Sequence, residues 1–432
     1  MNALAIDSDR LQQQLEELAR ISSAPAPVVT RILFSDADRR ARQYVKRLCL
    51  EAGLEVREDA VGNTFARWRG SNPQLPPVAT GSHIDAIPNA GRYDGVVGVL
   101  GAIEAMRALR NSGFEPARSV ELIIFTAEEP TRFGIGCLGS RLLAGALSAE
   151  KAGALRDGEG RSLEELRREA GFGGQGLESV RLAAGSYAAF VELHIEQGPL
   201  LEQENLPIGV VEKIAAPSTL RIELTGVGGH AGATLMPDRH DALLAGAEIA
   251  LAVEQAALTS GSPDTVGTTG VFRIEPGAVN SVPCRAWLEI DLRDTQLGCR
   301  DLALQRIEDS AARICGRRGV GFNLERVNAD APAICDPALV EVVITASGEM
   351  GMPSKRMISR AYHDSLFMAQ LCLTTMIFIP CRGGVSHRPD EYSSPGHIKS
   401  GVAVLARVLA RLVRGIGITD LDAAQERSKR PL

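Results

Sequence analysis

The chain has 432 residues, 45% hydrophobic and 23% charged, with a net charge of −6. That length exceeds what one hydrophobic core supports, and the composition is that of an ordinary soluble protein, so two domains are expected. The acidic balance leaves no basic footprint for nucleic acid, and no apolar run approaches the ~18 residues of a membrane span. The eight cysteines, Cys49, Cys137, Cys284, Cys299, Cys315, Cys335, Cys372 and Cys381, include no Cys-x-x-Cys pair. Such spacing predicts reduced, structural thiols and a cytoplasmic protein, rather than a disulfide framework or a thiolate metal site. The first residues carry Asp7, Asp9 and Arg10 without an apolar core, so no secretory signal is read there.

In chain order, Leu11, Leu15 and Leu18 mark an amphipathic helix over 8–20, broken by Ala24-Pro-Ala-Pro27. A second helix is expected over 36–52, then paired strands at 54–57 and 63–68. A short buried strand at Pro77–Thr80 leads into Gly81-Ser-His-Ile-Asp85 and Gly91-Arg-Tyr-Asp-Gly95, followed by an apolar helix from Val96 to about Arg110. Ser119–Thr126 is an apolar strand core that runs into Glu128-Glu129. Residues 138–185 read as helical and Gly-rich, with Ser162-Leu-Glu-Glu165 as a capping box. Ala189–His194 is another buried strand. This alternation predicts a mostly parallel α/β sheet.

Near residue 214 the pattern changes to half-exposed alternation at Thr219–Thr225. A helix at 239–259, strands at 265–274 and 284–293, a helix at 298–316 and a strand at 320–326 follow. That β-α-β-β-α-β order is the ferredoxin-like split motif, and it predicts an inserted α+β domain over 214–330. Residues 1–213 and 331–432 then form one discontinuous domain. Its last part contains helices at 337–350 and 363–373, the strand Thr375–Pro380 and a closing helix at 397–414. The polar tail Gln425–Leu432 reads as frayed.

Only seven histidines are present. His83, His194 and His387 fall at or just beyond strand ends, as do Asp94 and the pair Glu128-Glu129. Each has an ordinary reading alone: a core histidine, a helix N-cap for Asp94, a solvated glutamate pair, a turn around His387. Jointly, three histidines, an aspartate and two glutamates on the carboxyl edge of one sheet suit Zn²⁺ or Mn²⁺. One carboxylate can bridge two ions ~3.5–4 Å apart, leaving another free to accept a proton.

These segments, with Arg132-Phe133, Glu192-Leu-His-Ile-Glu-Gln-Gly198, His230-Ala-Gly232 and Ser386-His387, resemble the M20-type amidohydrolases. That group holds N-carbamoyl-L-amino acid hydrolases, allantoate and ureidoglycolate amidohydrolases and β-ureidopropionases, and the likeness spans nearly the whole chain. The resemblance implies a peptidase-like catalytic domain holding two divalent metal ions per subunit, Mn²⁺ or Zn²⁺. In that pattern His83 and His194 bind one ion, Glu129 and His387 the other, and Asp94 bridges. Glu128 is the general base and Asp85 orients His83 from behind. The inserted domain becomes a lid and homodimer contact, with His230 stabilising an oxyanion. Gln197, Asn280 and Arg293 match positions that hold substrate. Arg293 suits a carboxylate; its other reading is a salt bridge to Asp291 or Asp294.

Two departures narrow the branch. Relatives typically read Glu-Glu-Gly-Ser-Arg-Phe and Gly-Ala-Gly-His-Asp-Ala where this chain has Glu128-Glu-Pro-Thr-Arg-Phe133 and Arg360-Ala-Tyr-His-Asp-Ser365. With Gly136–Gly145, Ile379-Pro-Cys381 and Asp390–Ser394, these look like the ureidoglycolate amidohydrolase branch. Tyr362 in place of glycine shrinks the pocket and adds a hydroxyl, favouring a small polar substrate, although it equally reads as packing. Tyr362 and His363 therefore join the expected substrate residues. The expected reaction is hydrolysis of (S)-ureidoglycolate to glyoxylate, ammonia and CO₂. The alternatives are an N-carbamoyl-L-amino acid or allantoate hydrolase, a metallopeptidase or aminoacylase, and a non-catalytic binding protein on the same fold.

Overall fold

A computed structural model describes residues 4–418, so the tail Gln425–Leu432 lies outside the described residues. The chain divides into two compact units: Met1–Glu212, Ile334–Met357 and His363–Leu432 form one, and Lys213–Ala333 with Ile358–Tyr362 the other. The inclusion of Ile358–Tyr362 in the second unit differs from the expected boundary. Its cause is hydrogen bonding: Ala215 N–H donates to the Ser359 carbonyl at 2.8 Å, and the Arg360 guanidinium reaches Asp264 at 2.6 Å.

A nine-stranded mixed sheet forms the first unit. Its centre is four parallel strands in the order Leu373–Ile379, Ala189–Ile195, Val78–His83 and Val120–Phe125. Antiparallel strands flank them, so the parallel part is the middle of the sheet rather than most of it. Thr64–Trp68 pairs antiparallel with Val120–Phe125 and with Glu55–Glu58, through a turn that Asp59 holds by accepting the Val61 and Asn63 N–H groups. On the other side Ile208–Ile214 pairs antiparallel with Leu373–Ile379.

All four central strands are buried at every position. Helices supply that cover. Val96–Asn111 is buried along nearly its whole length and packs against Pro395–Leu412, which starts with Ser394 capping the His397 N–H and Pro395 in the first turn. The capping box at Ser162 and Glu165 is present at the start of Leu163–Glu169. The expected helix over 363–373 is a single turn, Ser365–Met368. Leu366 and Met368 are good helix formers, but the chain must re-enter the sheet at Leu373 beside Ala189, and tertiary pairing overrides propensity. Strands Ala86–Ala90 and Ser354–Ser359 were not expected.

The second unit is a four-stranded antiparallel sheet in the order Val266–Glu275, Arg285–Asp294, Ala216–Thr225, Gly321–Ala329. Its order and connections are those of the ferredoxin-like motif. Leu220, Ile222, Leu224, Leu288, Ile290 and Leu292 form one buried face, packed on Ile249 and Val253 of Ala242–Leu258 and on Leu304 and Ile307 of Leu297–Arg318. Among the described residues, no helix is long and apolar enough to cross a membrane.

Candidate metal centre and active site

Because the four central strands are parallel, their carboxyl ends lie on one edge. His83 is the last residue of its strand and His194 the last but one of the next. Both imidazoles are fixed from behind by backbone carbonyls. His83 Nδ1 lies 3.1 Å from the Asp85 carbonyl, and His194 Nδ1 lies 2.9 Å from the Ile195 carbonyl. A carbonyl only accepts, so each Nδ1 carries a proton, and loss of the other ring proton would leave a lone pair on each Nε2. His194 Nε2 lies 3.1 Å from Asp94 Oδ1 and His83 Nε2 3.6 Å from the same oxygen.

The second oxygen of Asp94 faces elsewhere. His387 Nε2 stands 3.1 Å from Asp94 Oδ2 and 3.3 Å from Glu129 Oε1. Two donor groups therefore share one carboxylate: His83, Asp94 and His194 on one side, Asp94, Glu129 and His387 on the other, the donor atoms of each group lying within 4.8 Å of one another. Imidazole nitrogens and carboxylate oxygens in this number fit divalent zinc or manganese. Asp94 does not cap the following helix; its N-cap is Gly95, with no side-chain cap. Gly95 has φ +65°, and a Cβ there would lie 2.4 Å from His83 Nε2, so the loop closes over the imidazole only with glycine.

Glu128 stands beside both groups and belongs to neither. Its Oε2 is 3.7 Å from His83 Nε2, and its Oε1 receives the Cys137 thiol at 3.7 Å. Asp85 stands behind His83, its Oδ1 3.6 Å from His83 Nδ1, and has a second task besides. The His83 ring is held by its carbonyl, while its carboxylate accepts the N–H groups of Glu128 at 3.3 Å and Glu129 at 3.1 Å. That carboxylate thus sets the backbone of the glutamate pair.

Burial and mutual charge act strongly on these groups. Desolvation, with Glu129 and Asp364 nearby, holds the Glu128 carboxyl well above the usual range. Hydrogen bonds from His194, His387 and His83 outweigh burial and hold Asp94 well below it. Asp94 and Glu129 push the His387 imidazolium up to about 11. A ligand imidazole must lose that proton, so uptake of an ion by His387 would be linked to proton release. Three non-glycine residues around the centre, Ala127, Gln197 and His387, have left-handed backbones at φ 52°, 55° and 57°. Such conformations cost about 1–3 kcal/mol each and gather where function demands a geometry.

Gln197, expected on substrate, donates from Nε2 to Asp94 Oδ2 at 2.8 Å, while its buried Oε1 has no hydrogen-bond partner. His363 is buried, its ring centroid 4.5 Å from that of His194. In the second unit, His230 and Asn280 are exposed. There Arg293 is engaged by Asp291 through both carboxylate oxygens, at 2.6 and 3.0 Å, and its guanidinium stacks 5.6 Å from the Tyr362 ring. The salt-bridge reading of Arg293 is therefore the observed one.

Around the centre, Glu192, Asp364 and Glu391 are buried acids that had no assigned role. Glu192, inside its apolar strand, accepts the Ser82 and Ser365 hydroxyls, both at 2.6 Å, so both its oxygens are occupied in tying segments together. Asp364 accepts the Ser140 hydroxyl at 2.5 Å, and its other oxygen is buried without a partner. Glu391 meets the Asp94 loop. A carboxylate in a fully buried strand is a signal readable from sequence; those of Asp364 and Glu391 were not, because both follow short irregular segments.

The model of Peptidase family M20/M25/M40 matches residues 79–411, which include every residue of the two donor groups. The chain is 55% identical over 419 residues to ureidoglycolate hydrolase of Arabidopsis thaliana, covering 95% of this chain and 88% of that one. It is 37% identical over 410 residues to N-carbamoyl-L-amino acid amidohydrolase of Geobacillus stearothermophilus, covering 95% and 100%. Among solved structures, AtUAH in complex with glyoxylate superposes with a TM-score of 0.90 at 54% identity, covering 95% of this chain and 99% of that one. The chain belongs to Peptidase family M20/M25/M40.

Proposed function

We propose that this hydrolase cleaves the ureido C–N bond of (S)-ureidoglycolate, yielding glyoxylate, ammonia and CO₂. The observation that carries the reading is the 55% identity, across 95% of the chain, to a ureidoglycolate hydrolase. The site geometry supports it: two donor groups share Asp94, and Glu128 stands beside them while belonging to neither. His83 and His194 would hold one divalent ion, Glu129 and His387 a second, with Asp94 common to both. Such ions, when bound, polarise a carbonyl and lower the pKa of water.

The chain's own residues then do the following. The Glu128 carboxylate takes a proton as water adds to the ureido carbonyl. The bond from that carbon to the glycolate nitrogen breaks, and Glu128 returns the proton to the leaving nitrogen. The carbamate formed loses CO₂ and ammonia; the hydroxyglycine collapses to glyoxylate and a second ammonia. His230 is assigned as oxyanion donor. Gln197, Asn280, Arg293, Tyr362 and His363 are assigned to substrate, Arg293 to its carboxylate after exchange from Asp291. The unpartnered Oε1 of Gln197, next to Asp94, supports its part in this assignment.

Parallel assays of ammonia release from ureidoglycolate, allantoate and N-carbamoyl amino acids test the substrate. Ureidoglycolate is expected to give the highest kcat/KM by at least about tenfold, the equivalent of ~1.4 kcal/mol. Preference for an N-carbamoyl amino acid with a bulky side chain overturns it.

The inserted unit is assigned as the homodimer contact. Leu244, Leu251 and Leu258 recur every seven residues on Ala242–Leu258 and are 39, 66 and 76% exposed, an apolar stripe that a second copy would cover. A native mass of one subunit rejects that assignment. Eight free cysteines, six of them buried, support a cytoplasmic setting.

A further inference from the structure

His83 and His194 sit on strands, but Asp94 and His387 sit on irregular loops nearly three hundred residues apart in the chain. Ligands on loops need an anchor to hold productive geometry. Gln197 Nε2 reaches the side chains of Asp94 and Ser386 at 2.8 and 3.2 Å, and Glu391 binds both loops as well, the Asp94 loop through its backbone. Glu391 Oε1 accepts the backbone N–H of Tyr93 at 2.7 Å and of Asp94 at 3.1 Å. Its Oε2 accepts the Ser386 hydroxyl at 2.8 Å, and Ser386 Oγ lies 2.9 Å from Asp94 Oδ2. The glutamate is 3% exposed, and all three donors are neutral. The loop runs flush against it: a Cβ on Gly91 would lie 2.4 Å from Glu391 Cβ. A buried carboxylate without a cationic partner is costly, so ordinary packing gives no reason for its presence.

We propose that Glu391 is a positioning residue that clamps the Asp94 loop to the Ser386-His387 turn and thereby assembles the second donor group, Asp94, Glu129 and His387. This rests on the metal-site reading above. Glu391 acts through hydrogen-bond geometry rather than charge. A glutamine there still accepts both N–H groups through Oε1 and donates through Nε2 to Ser386 Oγ, whose proton then goes to Asp94. Alanine leaves both N–H groups without their acceptor and the turn untethered.

The test is Mn²⁺ uptake by the full chain after chelation, followed by loss of the free-ion paramagnetic resonance signal, with thermal unfolding of the metal-free protein alongside. For Glu391→Ala, one of two uptake steps is expected to weaken about 10–100-fold, the typical cost of losing an outer partner, while the other stays within about threefold. Glu391→Gln is expected to keep both steps within about threefold of the unsubstituted protein. Unchanged uptake in Glu391→Ala overturns the clamp, as does a loss in Glu391→Gln equal to that in alanine. Should the alanine variant not fold, Glu391→Asp keeps the charge and shortens the reach by one methylene. Weakened uptake in that variant supports the clamp, and unchanged uptake overturns it. An unsubstituted chain that takes up no Mn²⁺ overturns the metal reading itself, a result distinct from unchanged uptake by the variants.

Discussion

The two units of this chain bury their strands in opposite ways. Val120–Phe125 and Ala189–Ile195 in the first unit have no exposed position, whereas Arg285–Asp294 in the second alternates along its length. A strand covered on both faces has no solvated side, so any polar group in it needs a partner. Glu192 finds Ser82 and Ser365; Glu121 finds Arg67 and Tyr187. Polar residues at the ends of such strands, His83 and His194, are set where the helices leave an opening. On the open face of an alternating strand most residues are polar whatever they do, so Glu289 and Arg293 do not stand out by residue type.

This contrast can be broken from either side. The largest effect is expected at Glu128. Glu128→Gln should lower kcat by about 10²–10⁴-fold while leaving metal content unchanged; full turnover in a metal-loaded variant refutes the assigned base. Next is His194→Ala, which removes a donor instead of an outer partner. Its loss of Mn²⁺ affinity should exceed the about 10–100-fold typical of outer partners, and an affinity equal to that of the unsubstituted protein removes His194 from the site.

Smaller effects belong to the second unit. Leu288 is fully buried against its helices, and Leu288→Ala should cost about 2–5 kcal/mol in denaturant unfolding with metal uptake unaltered. A parallel loss of metal uptake would show that the core of the inserted unit supports the centre. Smallest is Glu223→Ala, exposed on the strand Ala216–Thr225, which should stay within about 0.5 kcal/mol. A larger change there would mean that the polar face is covered in solution, which native mass of the same variant checks.

The same contrast explains what was legible. Buried strands ending in histidine or followed by paired glutamates are distinctive enough to read, and His83, Asp94, Glu129, His194 and His387 do converge. The ferredoxin-like order was legible because its strands alternate and its helices are long. The single turn at Ser365–Met368 was misread as a longer helix, since local propensity there does not register the neighbouring strand. The salt bridge was one of two readings of Arg293, and only the folded chain chooses Asp291 over Asp294 as its partner.

By itself the sequence determined most of the order of strands and helices, the ferredoxin-like alternation of the second unit and the residue types able to hold divalent ions, because burial pattern and chemical type are written residue by residue. Tertiary structure alone decided how those residues act together. It assigned the Asp85 carbonyl to His83 and the Asp85 carboxylate to the glutamate pair, kept Glu128 outside both donor groups, and brought Glu391 against the Asp94 loop. The physical reason is range. Periodicity reports on neighbours within a few residues, while a hydrogen bond between Asp94 and Glu391 depends on every strand and turn that brings two distant loops to one edge of the sheet.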